Sequence, residues 1–119
     1  MKRLTLLSAL ILAPLAAMAD VSGTWTATFD TQVGEQSYTY EFKVDGMKLM
    51  GMAKSANGEV EITDGMIDGD KITFTENLNY QGMPLVIKYT GMMTSDDEIK
   101  FTRDVSGIAM EELVAKRVE

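Results

Sequence analysis

Hydrophobic and polar residues alternate along most of this chain with a period of two, the mark of strands that bury one face. From Val21 to Asp30, Trp25, Ala27 and Phe29 share one side, while Thr24, Thr26 and Thr28 share the other. After the turn Thr31-Gln32-Val33-Gly34-Glu35, the run Gln36 to Asp45 sets Tyr38, Tyr40, Phe42 and Val44 against Ser37, Thr39, Glu41 and Lys43. Asp45-Gly46 is a strong hairpin signal. Met47 to Lys54 then places Leu49, Gly51 and Ala53 inward and Lys48, Met50, Met52 and Lys54 outward. A fourth strand starts after Ser55-Ala56-Asn57-Gly58, turns Val60 and Ile62 inward, and reaches Ile67 through a kink or bulge near Gly65. Asp68-Gly69-Asp70 turns the chain again.

From Lys71 to Tyr80 one face reads Ile72, Phe74, Glu76, Leu78, Tyr80, so a carboxylate sits amid apolar neighbours. Beyond Gln81-Gly82-Met83-Pro84, Leu85, Ile87, Tyr89, Gly91 and Met93 share a face. The strand after Ser95-Asp96-Asp97 points Ile99, Phe101, Arg103 and Val105 the same way. The last segment, Ile108 to Val118, has helical propensity and an i,i+4 pair in Glu112 and Lys116. Read instead as a strand, with Leu113, Ala115 and Arg117 inward, it closes a sheet that seven strands leave with two open edges. We read it as a strand. The expected fold is therefore all-β: an eight-stranded antiparallel up-and-down barrel joined by short hairpins, too short for parallel crossovers.

The alternation begins only after residue 20. Met1 to Ala19 reads as a signal peptide, with Lys2 and Arg3 at its start, an apolar run from Leu4 to Leu15, and Ala17-Met18-Ala19 as the cleavage site. The apolar run is too short to span a bilayer. A lipid anchor at that end would need a cysteine, and there is none. The expected organisation is a leader over 1–19 and one barrel domain over 20–119, in a periplasmic or secreted protein. Without disulfides, core packing and sheet closure must carry the stability.

Composition narrows the chemistry. Losing Lys2 and Arg3 leaves nine basic residues against eighteen acidic ones, a balance that argues against nucleic acid and anionic membranes as partners. The absence of both histidine and cysteine removes the Ser-His-Asp triad, cysteine nucleophiles, ordinary zinc sites and histidine-ligated haem. No cofactor or metal is expected: Met50-Gly51-Met52 and Met92-Met93 lack a spacing diagnostic of copper, and the acidic turns lack a calcium-loop pattern.

Gly23-Thr24-Trp25 resembles the Gly-x-Trp signature of the calycin group, the lipocalins, avidin-like proteins and their relatives. That resemblance implies a barrel in which Trp25 plugs one end and a basic side chain from the last strand, here Arg117, packs across it. The lipocalin Thr-Asp-Tyr motif and the further tryptophans of an avidin biotin site are missing. More narrowly, Val21 to Val118 looks like the small secreted bacterial barrel found alone or as a tail on extracellular hydrolases.

Glu76 and Arg103, if inward, need partners to offset desolvation, and Tyr38, Tyr40, Tyr80 and Tyr89 fall on the same inner faces. These six residues are the expected ligand site, for a small hydrophobic or amphipathic molecule, with a structural ion pair as the competing reading. A glycosidase needs two facing carboxylates, and Glu76 is the one acid read on an apolar face, so no enzymatic activity is expected. The alternative function is an accessory module bound to a secreted enzyme or polysaccharide. A cavity of roughly 300 Å³ or more favours the first function, and a filled interior the second.

Overall fold

In the computed structural model, which describes residues 20–118, every regular element is a strand. They are β1 (Gly23–Thr31), β2 (Gly34–Asp45), β3 (Lys48–Ser55), β4 (Gly58–Glu61), β5 (Thr63–Asp68), β6 (Lys71–Tyr80), β7 (Met83–Ser95), β8 (Glu98–Val105) and β9 (Ala109–Arg117). Successive strands pair antiparallel, and β9 returns to β1, so the sheet closes into a barrel. β4 and β5 are two halves of one wall strand, and the barrel therefore has eight staves.

The fourth stave is interrupted at Ile62, whose amide donates to the Gly51 carbonyl at 2.9 Å, and the irregularity continues through Gly65, where a kink or bulge was expected. Its register against β6 then shifts between Thr63 and Met66. Two features force the irregularity: Asp64 takes a positive φ of 53°, and Gly65 presses so close to β3 that a Cβ there would lie 2.1 Å from the Leu49 carbonyl oxygen.

β9 is a strand because closure outweighs local propensity. As a helix it would leave the edges of β1 and β8 unpaired; as a strand it runs along β8 from Val105↔Ala109 to Glu98↔Lys116 and buries Leu113 and Ala115. Its ladder with β1 is short, consisting of Trp25↔Arg117 and Thr26↔Lys116. A surface cleft flanked by Thr28 and Asp30 on one side and Glu112 and Val114 on the other continues the line of that seam.

The residues expected inward form one core, from Trp25, Phe29 and Phe42 to Ile72, Phe74, Ile99 and Phe101. Met50 and Met52, expected outside, are half-buried, while Met93 is buried and Met92 exposed. The turns at residues 31–34, 55–58, 80–83 and 105–109 gather at one end. Residues 20–22 and the turns at 45–48, 68–71 and 95–98 gather at the other.

Candidate ligand-binding site

Alternation and pairing together build a row of polar groups across the wall. Tyr89 on β7 lies opposite Arg103 on β8, and Arg103 lies opposite Glu111 on β9. Glu76 joins the row from β6, the strand paired with β7, and Tyr38 reaches the same point from β2.

Their hydrogens can be assigned by counting donors. Tyr38 donates to Glu76 Oε2 at 2.8 Å, and Tyr89 donates to Glu76 Oε1 at 2.8 Å. Because Tyr89 has one proton and gives it to Glu76, Tyr40 must donate in the 2.9 Å contact between their hydroxyls. Arg103 supplies the remaining donors: Nε to the Tyr89 hydroxyl at 2.8 Å, Nη2 to the Tyr38 hydroxyl at 2.9 Å and to Glu76 Oε1 at 3.5 Å, and Nη1 to Glu111 Oε1. Its guanidinium carbon lies 5.1, 5.0 and 5.4 Å from the ring centres of Phe29, Tyr38 and Tyr89.

Burial, and then the neighbouring Glu76 carboxylate, pushes the Tyr38 hydroxyl well above its usual pKa. Burial does the same to Tyr40 and Tyr89. Burial works against the charge on Arg103, but Tyr89, Tyr38 and Glu76 outweigh it and hold the guanidinium proton more firmly than usual. The phenols stay neutral and the arginine charged.

Above this layer a cavity of about 250 Å³ opens at the end formed by the 31–34, 80–83 and 105–109 turns. Leu78, Leu85, Ile87 and Val105 wall it; Tyr38, Arg103 and Glu111 form its floor; Val33, Met83 and Ile108 ring its mouth, each more than half exposed. Of the six residues expected to bind a ligand, Tyr38, Tyr80 and Arg103 line this cavity. Tyr40, Glu76 and Tyr89 do not: they lie beneath the floor, with Glu76 only 1% exposed, and hold Arg103 and Tyr38 in place.

Glu111 also corrects the expectation of a single inward acid. Alternation backward from Leu113, Ala115 and Arg117 in the strand reading of this segment already puts it on the inner face. The apolar wall residues Leu85 and Val105 were legible as inward, yet nothing local marked them as open to solvent at one end.

At the other end Trp25 is fully buried and donates its indole N–H to the Val21 carbonyl at 2.9 Å. The Arg117 guanidinium carbon stands 4.4 Å from the Trp25 ring centre, and its nitrogens donate to the carbonyls of Asp96, Ser22 and Asp20. Among the described residues no group of three or more carboxylates could hold a metal ion.

No family model matches the sequence, and no curated protein matches it. Two solved barrels share the fold. A redesigned β-barrel, mFAP1, bound to DFHBI, is 15% identical, with 82% of this chain and 94% of that chain covered at a TM-score of 0.53. EF1p2_mFAP2b bound to DFHBI is also 15% identical over the same shares, at 0.55. At that identity the likeness establishes the closed antiparallel barrel and nothing finer.

Proposed function

We propose that this protein is an exported, non-enzymatic binding protein that holds a small, partly apolar molecule in its open-end cavity. The observation that carries the reading is the cavity itself, an apolar-walled space of about 250 Å³ over a rigid polar floor. Two barrels of the same fold, each bound to DFHBI, add support. The cavity volume falls short of the roughly 300 Å³ that favours this function, which limits the occupant to a small molecule, or to one whose tail emerges between Val33, Met83 and Ile108. Export rests on the leader at 1–19, which lies outside the described residues. The absence of histidine and cysteine, and the locking of Glu76 between two tyrosines, support a role without catalysis. Kinship with the small secreted bacterial barrels remains part of this proposal.

Native mass spectrometry of the protein purified from its own host tests the reading. A retained small-molecule mass is expected, and Leu85→Trp, which fills the cavity, is expected to abolish it. A mass that survives Leu85→Trp would place the ligand elsewhere.

The filled lower half of the barrel and the apolar ring at its mouth favour a second reading, an accessory module docking on a secreted hydrolase or polysaccharide. The protein would then carry no retained mass, and Val33→Ser with Ile108→Ser would release it from such a partner.

A further inference from the structure

We infer that the cavity selects a molecule whose polar end is a cation, an organic amine or amidine, and disfavours a carboxylate. The inference rests on the ligand-binding reading of the cavity and names the chemistry of that ligand.

Around the floor, Glu76 and Glu111 face a single guanidinium, so the cluster carries one formal negative charge in excess. The inner part of the network is saturated. Both oxygens of Glu76 accept tyrosine protons, and four of the five N–H groups of Arg103 are engaged within the protein. Glu111 differs. Its side chain is only 9% exposed, one oxygen accepts from Arg103, and the other has no protein partner among the described residues. Among the described residues, Arg103 and Glu111 are the only charged ones lining the cavity. A buried carboxylate oxygen without a donor is costly, and a cationic N–H group entering from the apolar side supplies both the donor and the missing charge. A ligand carboxylate would instead bring a third negative charge to one arginine.

The experiment is calorimetric titration with octylamine, octan-1-ol and octanoate at pH 7, where the amine is protonated. The three share one apolar chain, so differences among them report on the head group. One-to-one binding of octylamine about tenfold tighter than octan-1-ol is expected, with octanoate weakest. Glu111→Gln is expected to erase the advantage of the amine over the alcohol. Octan-1-ol or octanoate binding as tightly as octylamine would overturn the inference and leave the cavity reading standing, as would an amine preference that survives in folded Glu111→Gln. Failure of all three to bind would overturn both. Should Glu111→Gln not fold, the wild-type series alone decides.

Discussion

The two ends of the barrel use the same pair of groups, an arginine against aromatic rings, to opposite effect. At the closed end Arg117 lies over Trp25 and spends its nitrogens on backbone carbonyls of Asp20, Ser22 and the 95–98 turn. Those acceptors bring no charge, and the one carboxylate nearby, the exposed Asp97 at 3.8 Å, lies beyond hydrogen-bond reach, so the arrangement ties residues 20–22 to the last strand. At the open end Arg103 lies among Phe29, Tyr38 and Tyr89 and spends its nitrogens on other side chains, two of them carboxylates. A guanidinium satisfied by main chain seals the fold; one satisfied by side chains makes a charged surface on which a cavity can rest.

Alkali should separate the ends most strongly. Tyr38, Tyr40 and Tyr89 all have pKa values raised from 10.0 in the folded protein, and all belong to the floor. Their stabilising effect is full below pH 10. Above it the unfolded chain releases phenol protons that the folded chain keeps, so stability falls as pH rises, by about 4 kcal/mol per pH unit for three such groups. Urea melts at pH 9 and pH 11 measure this, and equal midpoints would mean that the phenols titrate freely. Next in size, Arg103→Met strips two buried carboxylates of their partner and should cost about 3–5 kcal/mol in the same assay. Trp25→Phe should cost about 2 kcal/mol through lost packing and the lost bond to Val21, yet leave octylamine affinity unchanged by calorimetry, since the closed end touches no ligand. The smallest effect belongs to Tyr40→Phe, which removes only the outermost donor of the network. A loss of about 1 kcal/mol is expected, with the amine preference intact.

Alternation alone reveals which side chains look inward, including the unusual placement of Glu76 and Arg103, and so most of the fold is legible in the sequence. Height along the barrel axis is not. Tyr38 and Tyr40 have identical parity, yet Tyr38 lines the cavity and Tyr40 lies beneath it; that distinction depends on the stagger between paired strands, a relation among distant residues that no local pattern encodes. Glu111 follows from parity with Leu113 and Ala115 once its segment is a strand, and the strand itself is the harder inference. Ala109 to Arg117 favours a helix residue by residue, and only the unpaired edges of β1 and β8, a property of the whole sheet, make it a strand. The irregularity around Gly65 is legible from a glycine inside a strand pattern; its cause, the close approach to Leu49 across the wall, is not.

The short ladder between β1 and β9 gives the barrel one stave joint that is fastened near the plugged end and slack toward the mouth. Such a joint acts as a lengthwise slit. On the proposed binding role, parting this joint sideways would widen the entrance while the sealed base stays intact. Amide protons along the slack margin, at Thr28, Asp30, Glu112 and Val114, should then exchange with solvent sooner than those of β6 and β7, whose ladder runs unbroken from Lys71↔Met92 to Tyr80↔Met83.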